Sequence, residues 1–377
     1  MTPVATPVDI RPLTALRFMA ALWVALYTFW PNLDVGFVPN LTAKGYLGVE
    51  LFFVLSGFIL SHVYLNAFAG ERFSYRGFLW ARIARVYPLH LFTLAGVMAL
   101  GLAAVAVGLS IDSSVLSWKT LPAHLLMVHA WGFAGEAGWN HPSWSISAEW
   151  FAYLAFPLFA AAAWPLRARP WVATAGAAVF LMGLYAAFER LAGFPLTEAT
   201  FRWGALRIVP CFAYGCALYL VYRRAPVKPA APLALLAGGV MIGSACLMAW
   251  DAVTVLAAGL LILALASIPN GRAGWLASRP AVYLGEISYS VYMVCAPWQI
   301  LAVNVAARAT GADDKRLQLF VWLGVVLGLI VAAAATYHLV ERPARKAMRD
   351  WAERRRASAD GARKHPETVL QPSDTIV

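Results

Sequence analysis

Six ionisable residues fall inside stretches otherwise made of apolar side chains. Arg17 lies in LTALRFMAALWVALYTFW, Glu50 opens VELFFVLSGFIL, Glu149 sits in WSISAEWFAYLAF, Arg207 in LRIVPCFAYGCALY, and Arg82 and Arg85 in FLWARIARVYP. An ionised side chain at the centre of a bilayer costs about 2.5–3.5 kcal/mol on insertion scales, so such residues face a bundle interior or a water-filled cavity. Guanidinium groups at such a place can hold phosphate or carboxylate oxygens through charge-assisted hydrogen bonds. A carboxylate there can take a proton in general-base catalysis. Arg82 and Arg85 are three residues apart and share a helix face, an arrangement that also anchors a helix end at the cytoplasmic surface. Glu50, Glu149 and Arg207 each come early in their apolar runs. Counted at 1.5 Å per residue, the three share the outer half of the membrane, where opposite charges can pair. Arg17 lies somewhat inward of the midplane, and Thr28, eleven residues on and on roughly the same face, lies ~16 Å further out.

The elements that must position these groups are membrane-length runs. The composition is 61% hydrophobic and 13% charged, with a mean hydropathy of +0.66, which places the chain among polytopic membrane proteins. Apolar runs long enough to cross a ~30 Å hydrocarbon core fall near 13–30, 45–66, 87–109, 143–165, 171–188, 203–222, 231–249, 252–269, 281–305 and 317–340. The expected fold is therefore all-α, a bundle of about ten transmembrane helices. The connections after the second, fourth, sixth and eighth runs carry Arg72, Arg76, Arg82 and Arg85, then Arg167 and Arg169, then Arg223, Arg224 and Lys228, then Arg272 and Arg279. By the positive-inside rule these are cytoplasmic. The other side carries Asp34, then Asp112, Lys119 and Glu136, then Glu189 and Glu198 beside Arg190 and Arg202, then Asp251, then Asp313 and Asp314 amid Arg308, Lys315 and Arg316, so both termini are expected in the cytoplasm.

The segment TLPAHLLMVHAWG, residues 120–132, is too short to span and reads as an interfacial or re-entrant helix on the outer side. Residues 1–345 make up the membrane domain, and 346–377 a basic cytoplasmic tail, partly disordered. The first run is expected to be retained, since no small-residue cleavage site follows a short apolar core. The net charge of +11 is spread over loops and tail, which fits topology and leaves no basic domain for nucleic acid. Cys211, Cys216, Cys246 and Cys295 lack metal or disulfide spacing and read as packing residues. No metal and no permanently bound cofactor is expected.

Further candidates surround the fourth and ninth runs. Trp139-Asn140-His141-Pro142-Ser143-Trp144-Ser145 combines aromatic platforms with short polar donors, which suits sugar stacking and hydroxyl binding through Asn140, His141, Trp144 and Ser145. The same composition serves an interfacial aromatic belt with a helix cap. Ser288, Tyr289 and Tyr292 fall in the inner half of the ninth run and could line a tunnel. Gly45, Gly48 and Gly57 read as positions of close helix packing.

Taken in order, RPLTALRFMAALWVAL, GYLGVELFFVLSGFIL, RIARVYP, NHPSWSISAEWFAYLAFPL, LRIVPCFAYGCALY, GEISYSVYMVCAPW and YHLVERPAR resemble the acyltransferase-3 family of integral membrane O-acyltransferases. The resemblance runs through nearly all the runs. It implies acyl-CoA, with acetyl-CoA the leading case, as a donor entering from the cytoplasm. It also implies a carbohydrate, lipid-linked glycan or secreted small molecule as acceptor on the far side, and the bacterial inner membrane as location. Arg82 and Arg85 would hold the donor's phosphates, with Ser288, Tyr289 and Tyr292 along the donor tunnel. Arg17 and Glu149 would stand at the reacting centre, and Glu50 and Arg207 toward the acceptor. The family assigns its general base to a histidine eleven residues after the first arginine, where this chain has Thr28. Many relatives also have a histidine where this chain has Cys295. Glu149, His141 or His129 is then a candidate for the base, Cys295 for a thioester carrier. A catalytically inactive acyl-CoA-binding protein and a secondary transporter are the competing functions.

Overall fold

The computed structural model describes residues 9–108, 115–135, 138–312 and 314–364, with side chains to residue 355. Asp112, Glu136, Asp313 and the end of the tail lie outside these residues. Among them every regular element is helical, and the single β-type pairing is an isolated bridge between Leu33 and Leu317.

The helices are α1 (Arg11–Phe29), α2 (Asn40–Ala43), α3 (Gly48–Ala69), α4 (Tyr75–Ala106), α5 (Leu121–Leu125), α6 (Ser143–Leu154), α7 (Phe156–Ala163), α8 (Pro170–Ala192), α9 (Gly204–Arg224), α10 (Ala230–Cys246), α11 (Asp251–Ala266), α12 (Arg279–Thr310), α13 (Leu319–Thr336) and α14 (Arg342–Lys364). Each of the ten expected runs coincides with helix, but their lengths differ. Seven helical segments among the described residues are long and apolar enough to cross a membrane, so the chain is a multi-pass membrane protein. The fourth run is broken: α6 and the helical segment beginning with α7 meet at a 56° bend. The helices α10 and α11, of 17 and 16 residues, reach only about 25 Å at 1.5 Å per residue. In contrast, α4 and α12 run for 32 residues each, continuing past their apolar runs into charged ends. Local signals fix those starts. Ser74 caps α4 by accepting from the Gly77 amide at 3.2 Å, and Ser278 caps α12 ahead of Pro280.

The expected interfacial segment 120–132 forms only the five-residue α5 and a kinked turn at His129–Phe133, folded against α6. Helix α14 runs through the expected boundary at 345/346. It is held to α4 by the Trp80 indole, which donates to the Met348 carbonyl at 2.9 Å and packs on Trp351.

The first helix divides its faces between two apolar cores. Leu13, Leu16 and Ala20 join a core built from α3, α6, α9 and α11, while Phe18, Ala21 and Ala25 join one built with α12 and α13. Both sets follow helical spacing, and Arg17 lies on the seam between them. Small residues bring the helices close enough for this. A side chain at Gly57 of α3 would strike the Phe212 carbonyl of α9, and one at Gly215 of α9 would strike the Val54 carbonyl of α3. Gly285 of α12 likewise sits on the Thr14 carbonyl of α1. Such glycines let backbones pack without an intervening side chain. Gly45 and Gly48 do the same against α1, beside Trp23 and Ala20.

Candidate active site

Three cavities follow one another along α1. The first is lined by Leu13, Thr14 and Arg17 of α1 with Leu55, Ile59 and His62 of α3. It shares Arg17, Leu55 and Ile59 with a second, of about 150 Å³, whose polar lining is Arg17, Ser56, Arg82, Arg85, Ser145, Glu149, Tyr153, Tyr289 and Tyr292. That chamber shares Val49 and Tyr292 with a third, of about 410 Å³, which holds Tyr27, Thr28, Tyr46, His141, Trp144, Glu198 and Arg207. From Leu13 to Thr28 the path covers about 22 Å of helix, most of a hydrocarbon core.

Three guanidinium groups converge on the second chamber. Arg17 is half-buried and, among the described residues, makes no hydrogen bond or ion pair. Arg82 lies over the rings of Tyr64 and Tyr153, and its Nε is buried without an acceptor. Arg85 is held by Glu341, with Nη1 2.5 Å from Oε1, and its guanidinium lies 5.5 Å from the Tyr289 ring centre. Glu341 is itself fixed from two more sides, accepting from the Ser290 hydroxyl at 2.8 Å and facing Arg345 at 3.7 Å. It ends the wide helical turn Tyr337–Glu341 between α13 and α14. Turns of this kind recur at functional sites. Glu149 accepts from the Ser56 hydroxyl. With Arg85 paired to Glu341 and Glu149 set against Arg17 and Arg82, the chamber keeps one net positive charge and is a recess suited to an anion.

Tyr292 stands where the second and third cavities meet. Its hydroxyl accepts from Ser145 Oγ at 2.8 Å and donates to the Pro142 carbonyl at 2.9 Å. In the third cavity, Arg207 is wholly buried: Nε meets Glu50 Oε1 at 2.5 Å, Nη1 donates to the Ala199 carbonyl at 2.7 Å, and the guanidinium lies 4.5 Å from the Trp144 ring centre. Thr28 Oγ1 donates to the Val24 carbonyl at 2.9 Å, and the Cys295 thiol is within its hydrogen-bonding reach.

The residues singled out in the sequence separate into clear groups. Arg17, Arg82, Arg85, Ser145, Glu149, Tyr289 and Tyr292 come together in the second chamber, and Thr28, His141, Trp144, Arg207 and again Tyr292 in the third. Glu149 lies with the arginines rather than beside Glu50 and Arg207, whose pairing leaves Glu50 Oε2 and Arg207 Nη2 buried without a hydrogen-bond partner among the described residues. Ser288 turns back to the Gly285 carbonyl of its own helix at 2.7 Å, and its neighbour Ser290 makes the contact to the site. Asn140 is buried and donates to the Met293 carbonyl at 3.0 Å, tying the turn before α6 to α12.

Glu341, Ser56 and Tyr153 belong to the site without having been singled out. Beside it lies another unexpected group: the buried rings of His90, His124 and His129 are stacked, the last two 4.0 Å apart, and Ser143 at the start of α6 bonds His129 Nε2 at 3.1 Å. Burial holds His124 and His129 below the ordinary imidazole value, and through Phe201 the stack backs the ring of His141.

Residues 11–339 match the acyltransferase-3 family, described as an acyltransferase domain. The chain belongs to that family. Its match spans α1 to the turn that ends at Glu341, and so covers nearly every residue of the path just described. The chain is 34% identical over 334 residues to the acyltransferase MdmB of Streptomyces mycarofaciens, an alignment covering 81% of this chain and 82% of that protein. A shorter stretch of 53 residues is 47% identical to protein 2 in the picA locus of Rhizobium radiobacter, covering 14% of this chain and 28% of that one. No solved structure matches. Family membership makes this chain a membrane acyltransferase.

Proposed function

We propose that the chain transfers an acyl group, acetyl in the simplest case, from acyl-CoA to a hydroxyl of a carbohydrate, lipid-linked glycan or secreted small molecule across the bacterial inner membrane. On this reading the ten apolar runs cross or enter the bilayer with both termini in the cytoplasm. The observation that carries the proposal is the file of three cavities along α1, with the arginine chamber in the middle and Tyr292 at its outer boundary. A donor entering past His62 and Ile59 meets Arg17, Arg82 and Arg85, whose positive charge would hold its anionic groups. Its thioester would extend toward Tyr292. The aromatic and polar third cavity, with Trp144, Tyr27, Tyr46 and Glu198, supplies stacking faces and hydrogen-bonding groups for a polyhydroxylated acceptor.

Equilibrium binding of acetyl-CoA to the purified full chain tests the donor half of this reading. Arg82→Ala and Arg85→Ala should each weaken binding roughly tenfold or more, the loss of one charge-assisted contact of about 1.5–3 kcal/mol. They should also flatten its dependence on salt. Residues that merely anchor a helix end would leave binding unchanged.

A further inference from the structure

Acyl transfer to a hydroxyl needs a group that removes the hydroxyl proton, and a positioned base contributes about 10²–10⁴-fold to such a step. Thr28 does not supply it: its hydroxyl is engaged with the Val24 carbonyl, and a threonine hydroxyl is no base near neutral pH. The third cavity holds one imidazole among its described lining residues, that of His141. His141 precedes Pro142, whose carbonyl receives the Tyr292 hydroxyl, and Tyr292 is common to the arginine chamber and the outer cavity. The turn bearing His141 is thus fastened to the boundary between the two. The ring packs edge-on against Phe201 at 5.4 Å, and Phe201 rests on His124 and His129 at 6.2 and 5.9 Å. That backing leaves His141 exposed and lining the cavity.

Building on the acyltransferase reading above, we propose that His141 is the general base of this chain. Its unprotonated ring nitrogen takes the acceptor's hydroxyl proton as the oxygen attacks the acyl carbon of the thioester. The C–O bond forms, the C–S bond breaks with its electron pair on sulfur, and the imidazolium returns the proton to the thiolate. An ester and a free thiol leave, and His141 is neutral again. Desolvation by the protein packed around it, Phe201 included, holds His141 below the ordinary imidazole value although the residue keeps an exposed surface, so its ring is unprotonated at pH 7. The charged and titratable groups facing it across the cavity are Arg207 from α9, Glu198 from the turn before α9, Tyr27 from α1, Tyr46 from the turn before α3, and Tyr292 from α12. Arg207 is neutralised by Glu50, which leaves Glu198 as the facing carboxylate. The rate should therefore fall in acid on a limb below about pH 6.5, the ordinary imidazole value, and stay level above it.

The test uses the full chain in dodecyl maltoside with acetyl-CoA as donor, the detergent's own sugar and a set of free sugars as hydroxyl acceptors. Thiol release, ester formation and acetyl-CoA binding are measured for the parent, His141→Gln, Thr28→His and the double variant. The expected result is a 10²–10⁴-fold loss of turnover in His141→Gln, unchanged acetyl-CoA binding, and recovery with a displaced acid limb when Thr28→His is added. Unchanged turnover in His141→Gln overturns this assignment and leaves the acyltransferase reading standing. An inert parent that becomes active on Thr28→His also overturns it, since no base would then be in place. Failure of every form to bind or cleave acetyl-CoA overturns the donor reading itself.

Discussion

Breaking the Glu50–Arg207 pair should destabilise the protein more than any surface charge change. Arg207 is 1% exposed and Glu50 0%, so neither charge has water to fall back on. Truncating one partner of a buried pair costs about 3–5 kcal/mol, because the other charge is left uncompensated. In Glu50→Leu, Arg207 keeps one bond to the Ala199 carbonyl and its contact with the Trp144 ring, so the loss should fall near the lower end, about 3 kcal/mol. Glu50→Gln retains an acceptor oxygen and should lose less. In the double variant Glu50→Leu with Arg207→Met, no charge is stranded, and stability should return to within about 1–2 kcal/mol of the parent. Unfolding by SDS titration in mixed micelles, followed by tryptophan fluorescence, measures all three. A loss below about 1 kcal/mol in Glu50→Leu, or a double variant as unstable as the sum of the singles, would refute the buried, coupled pair.

Other outcomes follow from the same geometry. Glu341→Gln should weaken acetyl-CoA binding severalfold by freeing Arg85 from its 2.5 Å contact, a change read by isothermal calorimetry; an unaffected isotherm would show that Arg85 needs no positioning. Gly57→Leu and Gly215→Leu place atoms on opposing carbonyls and should each abolish the monodisperse peak in size-exclusion chromatography, whereas Gly176→Leu, which meets open space, should not. His124 and His129 are held neutral by burial, so the unfolded chain binds more protons below its imidazole value. Stability should therefore fall as pH drops below about 6.5, and His129→Phe should reduce that slope in thermal melts taken from pH 5 to 8.

The groups that chemistry needs were largely legible in the sequence, because a charge inside an apolar run is conspicuous whatever its neighbours. Arg17, Arg82, Arg85 and Glu149 stand out for that reason and do meet in one chamber. Their grouping was less legible. Depth counted along the runs puts Glu50, Glu149 and Arg207 together, and α3 and α9 do pair Glu50 with Arg207, but depth says nothing of which helix face a residue occupies, and Glu149 faces Ser56 and the arginine chamber. Glu341 reads as the start of a basic tail until the wide turn at Tyr337–Glu341 carries it to Arg85. The signal was one acidic residue among basic ones in YHLVERPAR, which position alone does not interpret. The His90, His124 and His129 stack joins α4 to a non-spanning segment, and no periodicity reports such a contact. Length was misjudged where helices continue past their apolar part, as α4 and α12 do, since hydropathy marks only the buried portion.

Arg17, which among the described residues makes no hydrogen bond or ion pair and lies in the middle of the path along α1, is the residue on which donor binding most depends in the proposed function. Binding of radiolabelled acetyl-CoA to the parent chain and to Arg17→Ala tests it most directly. A loss of about tenfold or more in Arg17→Ala, as expected for one charge-assisted contact, with unchanged elution and melting behaviour, is the predicted result. Equal binding by the two forms would contradict it.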